Sequence, residues 1–381
     1  MPHAIPLPPP TDEPLTLLAG LTPAQFMRRH WQKKPLLVRG AIPGFKPILS
    51  RAQLFALAVR EQVESRLIVR QARGQWLLEH GPFRKSRLPA RNQPGWTLLV
   101  QGVDLHHEAA HALLQSFRFV PDARLDDLMI SWASTGGGVG PHVDSYDVFL
   151  LQAQGQRRWR IARQKNPRFK EDVPLKILKR FVAEEEYLLE PGDMLYLPPS
   201  WAHDGVAEHK KYITYSIKFQ TTQHTTLAAE IAERLVADYE DDALYADPQG
   251  SATEHPAAIP LALRGFATAA VRRLVADSEA LAEALGSTLT EPKPGVLFDE
   301  PEGRWAPGAL VLDRRTRMMY DGRSVFINGE CYRATGNDAR LMRRLADERR
   351  LEARAVRRAS SAARSLLAAW FGSGWLRRLR D

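Results

Sequence analysis

Cysteine is nearly missing from this chain: Cys331 is the one example in 381 residues. That excludes an intramolecular disulfide and a cysteine-based zinc site, and it fits a reducing, cytoplasmic compartment. Nor is there a run of about 18 consecutive apolar residues, the length a membrane helix needs, so no membrane association is expected. The opening stretch from Met1 to Gly20 is rich in proline and lacks a basic segment followed by an apolar core. It therefore does not read as a secretory signal. No serine sits in Gly-x-Ser-x-Gly, which removes the nucleophile elbow of the serine hydrolases. The glycine-rich stretch at 136–140 lacks the Gly-Lys-Ser/Thr ending of a phosphate-cradling loop. No internal repeat occurs.

What is present suits a globular protein of two or three domains, with ample length for a core. Charge is unevenly placed. Of the formal net +9, the stretch from Arg340 to Asp381 carries +8, from twelve arginines and four acids. A basic tail of this kind suits contact with RNA, the ribosome or another acidic surface. A solvated Arg/Ala-rich helix face accounts for it equally well.

Taken in order, residues 1–20 read as a disordered leader, proline-rich and without periodicity. Thr22-Pro23 starts a helix as cap and first residue, and Ser50 caps another. Short strands are expected at Arg66–Arg70, Gln75–Glu79 and Trp96–Val100, then a helix from about His107 to Phe117. From Leu128 to Phe219 the pattern becomes short strands divided by turns, at Leu128–Trp132, Asp147–Leu151, Arg157–Ile161, Glu186–Leu189, Met194–Leu197 and Tyr212–Phe219. Such spacing predicts a jelly-roll barrel or β-sandwich. Helical composition follows through Leu285, then a Pro/Gly linker at Glu291–Gly295. Mixed strands and helices, at Ala309–Asp313, Ser324–Ile327 and beyond Asn337, suggest a small winged-helix-like module. The class is α+β, divided as leader 1–20, barrel domain 21–222, helical region 223–290, and a winged-helix-like domain with an Arg-rich tail at 291–381.

The chemistry centres on Gly136-Gly137-Gly138-Val139-Gly140-Pro141-His142-Val143-Asp144. On a strand, His142 and Asp144 project from one face, two apart. An imidazole and a carboxylate side by side supply two of the three ligands of a 2-His-1-carboxylate iron site. Eleven histidines and 44 acids make such a pair unremarkable alone, and His106-x-Glu108 is a second example. A third ligand is expected from a distant strand. Glu190-Pro191-Gly192-Asp193 reads as a hairpin turn, Leu195-Tyr196-Leu197 as a buried strand, and two prolines then lead to His203. Three protein ligands leave three open positions, room for a chelating 2-oxo acid and dioxygen. The acid's far carboxylate needs a cation. In Arg157-Arg158-Trp159-Arg160-Ile161, alternation places Arg157 inside with Trp159 and Ile161. A buried guanidinium needs an anion, either the co-substrate or an internal acid. His107-Glu108-Ala109-Ala110-His111 is a competing metal motif of the zincin type. No further zinc ligand follows at a suitable spacing, since the chain soon enters the strand at Leu128–Trp132.

With His142, Asp144, Arg157 and His203 in view, the chain resembles the JmjC-type ribosomal oxygenases of bacteria. These are iron- and 2-oxoglutarate-dependent enzymes that hydroxylate an arginine of large-subunit ribosomal protein sixteen. The runs carrying the resemblance are Asp126-Asp127-Leu128-Met129-Ile130-Ser131, Gly136 to His142, Tyr146-Asp147-Val148-Phe149 and Arg157-Arg158-Trp159-Arg160. His30-Trp31-Gln32-Lys33, Ser65-Arg66-Leu67, His80-Gly81-Pro82-Phe83, Asp247-Pro248 and His255-Pro256 extend it over about residues 20–260; past about 265 it is faint. The resemblance implies a double-stranded β-helix, a helical dimerisation region with a homodimer, and a C-terminal winged helix. It also implies that His142, Asp144 and His203 bind iron(II), that Arg157 binds 2-oxoglutarate, and that O2 is consumed. Two other functions are carried forward: a histidyl hydroxylase of another ribosomal protein, and a non-catalytic barrel in ribosome assembly or RNA binding. The glycines at 136–140 are expected to form a close-approach loop beside the iron, where the substrate peptide lies.

Overall fold

Thr22 and Ser50 each begin a helix with a reciprocal cap. Thr22 Oγ1 accepts from the Gln25 N–H at 3.1 Å while Gln25 Oε1 accepts from the Thr22 N–H at 3.2 Å, and Ser50 with Gln53 repeats the arrangement. Such a cap contributes about 1 kcal/mol to its helix. The computed structural model describes residues 6–379, apart from 72–73, 91, 209–211, 238 and 302. The chain forms two compact units, one of Met1–Thr221 with Gly295–Leu297, the other of Thr222–Pro294 with Phe298–Asp381.

In the first unit the elements run α1 (Pro23–Arg29), β1 (Leu36–Val38), α2 (Arg51–Ala58), β2 (Ser65–Arg70), β3 (Trp76–His80), β4 (Trp96–Val100), α3 (Glu108–Gln115) and β5 (Leu125–Ala133). They continue with β6 (His142–Val143), β7 (Asp147–Gln154), β8 (Arg157–Arg163), β9 (Glu185–Leu189), β10 (Met194–Leu197), β11 (Trp201–Ala207) and β12 (Tyr212–Phe219). One antiparallel sheet has the order β1-β10-β7-β12-β5-β4-β2-β3, and a second β6-β11-β8-β9. Alternation divides the larger sheet into two faces. Leu128, Ile130, Trp132, Ile213, Tyr215, Ile217 and Phe219 join an aromatic core with Phe26, Trp31 and Phe117. The opposite face packs Val148, Leu150, Leu195 and Leu197 against Trp159, Ile161 and Leu189 of the second sheet. Ser131, Gln152 and Thr214 share that inner face, all buried, and they mark where the interior turns polar.

Several expectations change here. Residues 15–20 are not part of an unstructured leader, because a 3-10 turn at Thr16–Leu18 buries Leu17 and Leu18 in the main core. Glu190-Pro191-Gly192-Asp193 is a turn, closed by the Asp193 N–H donating to the Glu190 carbonyl at 2.9 Å, but not a hairpin. It carries the chain from β9 in one sheet to β10 in the other. Gly192 is required there at φ +93°, where a Cβ would stand 2.7 Å from the Ile42 carbonyl oxygen. His203 lies on a strand, as expected of the third ligand: β11, which begins just after the two prolines.

The second unit begins with α4 (His224–Ala237), α5 (Leu261–Leu274) and α6 (Ser278–Thr290). Residues 239–260, read as helical, carry no helix; Pro248, Pro256 and Pro260 break the periodicity. The remainder comprises β13 (Leu310–Leu312), β14 (Met318–Tyr320), β15 (Ser324–Ile327), β16 (Glu330–Arg333), α7 (Gly336–Glu348), β17 (Arg350–Leu351), α8 (Ala353–Arg358), α9 (Ser361–Gly372) and β18 (Leu376–Arg378). Strands β14-β15-β16 form one small sheet and β17-β13-β18 another. The Gly286 backbone on α6 lies directly against the Phe326 ring of β15, so α6 packs on the small sheet that follows it. The Arg-rich ending is folded rather than a tail. Val356, Leu367, Trp370, Phe371 and Leu376 are buried in a common core, and β18 pairs with β13.

Candidate metal centre

Strand β6 is two residues long and exists through its pairing with β11, in which His142 and His203 are direct cross-strand partners. Partners in an antiparallel pair present side chains on one face, so the imidazoles meet, with ring centres 4.2 Å apart at 58°. Asp144 lies in the bend just beyond β6 and not on the strand itself. Its Oδ2 is 3.6 Å from His203 Nε2 and 3.9 Å from His142 Nε2. One ligand atom from each residue falls within 4.8 Å of the other two.

Each imidazole is oriented by its other nitrogen. His142 Nδ1 lies 2.8 Å from the Gly140 carbonyl oxygen and His203 Nδ1 lies 3.1 Å from that of Trp201. A carbonyl only accepts, so both Nδ1 atoms carry the proton and both Nε2 lone pairs point at the shared space. Burial, followed by the neighbouring His142, lowers the His203 pKa to about 4, so its ring is neutral and available as a ligand at physiological pH. The Tyr146 hydroxyl donates to the Asp144 side chain; burial and the charges of Asp144, Asp127 and Asp126 hold it protonated. The donor set of two imidazoles and one carboxylate with open positions suits a divalent iron.

Arg157 is 4% exposed and points into the same interior. Its Nη1 donates to Thr214 Oγ1 at 3.1 Å and more weakly to Ser131 Oγ at 3.4 Å, and its Nη2 donates to the Gly205 carbonyl at 3.2 Å. All three acceptors are neutral. Among the described residues no carboxylate pairs with it; Asp204, the acid whose charge reaches it, is ion-paired with Arg160. Burial lowers its pKa to about 10, which leaves it charged at neutral pH. A buried cation without a partner anion is costly, and a carboxylate ligand would offset that cost through a charge-assisted, bidentate contact. Its charge also acts on His203, which places the anchor close to the ligands.

The zincin-like motif does not assemble. His107 is the extended N-cap residue before α3, at φ −142° and ψ 124°, and His111 is buried at 4% exposure. Among the described residues, the group of three or more His, Cys, Asp or Glu side chains able to hold a metal is His142, Asp144 and His203. Sequence reasoning missed Tyr146, Ser131, Thr214, Gln152 and Gly205. A signal for Ser131 and Thr214 did exist: each is a small hydroxyl between two large apolar residues of its strand, Ile130 and Trp132 or Ile213 and Tyr215.

Known proteins are similar to this chain in sequence and fold. The JmjC domain family model matches residues 112–227, and the ROXA-like winged helix model matches residues 273–377, where the sequence resemblance had looked faint. The chain is 33% identical over 318 residues to the ribosomal protein uL16 3-hydroxylase of Escherichia coli strain K12, covering 80% of this chain and 84% of that protein. The X-ray structure of E. coli YcfD superposes with a TM-score of 0.83 at 30% identity, covering 93% of this chain and 98% of that one. A structure of YcfD, a ribosomal oxygenase, in complex with cobalt and 2-oxoglutarate gives a TM-score of 0.80 at 31% identity, with the same coverage.

Proposed function

The chain belongs to the JmjC ribosomal oxygenases, and from that premise we propose that it hydroxylates an arginine side chain of large-subunit ribosomal protein sixteen, using iron(II), 2-oxoglutarate and dioxygen. His142, Asp144 and His203 hold the iron and Arg157 holds the far carboxylate of 2-oxoglutarate. The observation that carries this reading is the buried guanidinium of Arg157, which no carboxylate among the described residues pairs with, in the same interior as three converging donor atoms. When bound, the metal supplies the oxidising chemistry that splits 2-oxoglutarate into succinate and carbon dioxide and places one oxygen atom of O2 on the substrate.

The chain's own residues bind, orient and exclude water. The Gly140 and Trp201 carbonyls keep both imidazoles in the Nε2-ligand tautomer. Tyr146 fixes the Asp144 carboxylate by a hydrogen bond. Trp159 and Ile161, both nearly inaccessible, lie beside His203 and keep water from it. The preference for arginine over histidine rests on the likeness to the uL16 3-hydroxylase. Mass spectrometry of ribosomal proteins from cells with and without the gene tests the assignment. One added oxygen on an arginine of protein sixteen is expected; its absence in both samples would overturn it.

Three finer assignments go with this reading. Residues 21–222 are the oxygenase domain, 223–290 the dimerisation region and 291–381 the winged-helix domain. Helix α5 buries none of its residues and leaves Leu261, Val271 and Val275 at 79%, 64% and 49% exposure, which supports homodimerisation through a second copy. Arg354, Arg357 and Arg358 lie exposed on α8, with no ion pair among the described residues, and suit contact with ribosomal RNA, testable by the salt dependence of binding. No helix among the described residues is long and apolar enough to cross a membrane. A ribosomal substrate supports a cytoplasmic location.

A further inference from the structure

The glycine-rich loop does a different task from the one its position suggests. Its backbone runs alongside the end of β11: the Gly136 N–H donates to the Ala207 carbonyl at 3.0 Å and the Ala207 N–H donates to the Gly137 carbonyl at 3.2 Å. At Gly138 a Cβ would fall 2.5 Å from the Gly205 carbonyl oxygen, and φ there is ordinary, so space and not backbone conformation requires the glycine. At Gly205 a Cβ would fall 2.6 Å from the Trp159 ring and 2.7 Å from Arg157 Nε. The Gly205 carbonyl is also the acceptor for Arg157 Nη2 at 3.2 Å. Two glycines thus lie back to back, and the second touches both the guanidinium and the ring on which it rests. On the other side Thr214 Oγ1 donates its proton to Gln152 Oε1 at 2.9 Å, leaving its lone pairs for Arg157 Nη1. Gln152 is itself held by its amide donating to the Gln154 and Gly155 carbonyls, which fixes that polarity.

We infer that Gly138, Gly205 and Thr214 are positioning residues for the co-substrate: they form a neutral cradle that seats Arg157 with its charge unspent, Gly138 acting by seating the Gly205 carbonyl. The inference rests on the assignment of Arg157 to the 2-oxoglutarate carboxylate. It moves the loop's role from the substrate peptide to the far side of the co-substrate pocket. Among the described residues the acceptors of the guanidinium are uncharged, so its position is held without competing for the anion.

The test is calorimetric titration of the manganese-loaded protein with 2-oxoglutarate for wild type, Gly138→Ala, Gly205→Ala, Thr214→Val and Arg157→Gln. Each cradle variant is expected to weaken 2-oxoglutarate binding by roughly tenfold or more, the scale of a displaced hydrogen bond to a charged group. Manganese affinity, KM for a substrate peptide and kcat at saturating 2-oxoglutarate stay near wild type. Combined with Arg157→Gln, the glycine variants add no further loss, because they act through that side chain. If a glycine variant does not fold, Thr214→Val still tests the cradle, since it removes an acceptor without adding volume. Wild-type 2-oxoglutarate affinity in the cradle variants beside a weakened Arg157→Gln overturns the cradle alone, as does a parallel loss of manganese. Unchanged affinity in Arg157→Gln overturns the anchor assignment, and the cradle with it.

Discussion

The Trp159 ring centre lies 4.6 Å from Arg157 Cζ, and the same ring stands 5.7 Å from that of His203. One aromatic side chain therefore touches both the proposed anion anchor and a proposed iron ligand. Because His203 is separately held by β11 and by its Nδ1 hydrogen bond, the two roles separate on mutation. A buried cation–π contact contributes about 0.5–2 kcal/mol, so Trp159→Leu is expected to weaken 2-oxoglutarate binding by about 2- to 30-fold. Manganese affinity should change little. Calorimetry on the same samples measures both, and equal losses in the two would show that Trp159 serves only general packing.

Loss of any one of the three donors leaves a site with two. Alanine at His142, Asp144 or His203 is expected to abolish manganese binding and 2-oxoglutarate turnover, with far-ultraviolet circular dichroism unchanged. Succinate production persisting in Asp144→Ala would rule out the ligand assignment.

Asp147 is fully buried, accepts from the Tyr196 hydroxyl at 2.6 Å and from Gln32 Nε2 at 3.1 Å, and lies 3.4 Å from Arg124. Burial outweighs these partners and raises its pKa above the usual 3.8. The folded state therefore binds the proton more tightly than the unfolded chain does. Its contribution is complete below the ordinary value and declines as pH rises through the folded pKa. Asp147→Asn stays neutral and lacks that decline. Urea midpoints of both proteins from about pH 3 to pH 7 should diverge, with the variant gaining relative to wild type as pH rises. A constant difference would contradict the shift.

The C-terminal unit has its own core, in which Leu367 is inaccessible beside Trp370 and Leu345. Leu367→Ala should cost about 2–5 kcal/mol there through lost burial and the cavity left behind. Thermal unfolding checks the destabilisation, and manganese titration checks that the donors of the first unit remain competent. Undiminished stability would mean that Leu367 is not a core residue.

The strands easiest to read were those that combine aromatic or β-branched residues with clear turn boundaries. Trp96–Val100, Met194–Leu197, Tyr212–Phe219 and Ser324–Ile327 have the expected limits. Strand β11 was illegible because Ala202, His203, Asp204 and Gly205 favour strands poorly; pairing with β6 and β8 on either side makes it one. The inward direction of Arg157 could be read from the alternation with Trp159 and Ile161, whereas its neutral acceptors come from three other strands and no local pattern announces them. The arginines of the last forty residues masked an apolar set, Val356, Leu367, Trp370 and Leu376, that folds them into a domain. Gly138 and Gly205 are 67 positions apart in sequence, and only the register of the loop beside β11 explains why both are glycine.

The two-residue strand β6 has a consequence in time as well as in space. His142 reaches its place only when β11, some sixty residues further along the chain, has docked beside β8 and offers His203 as its cross-strand partner. Contacts of such sequence separation form late, after long loops have closed. An ion that needs all three donors therefore depends on that docking for its site. Once bound it acts by mass action, adding about 2.7 kcal/mol at a free concentration a hundredfold above Kd. Chelation would therefore make the barrel easier to unfold.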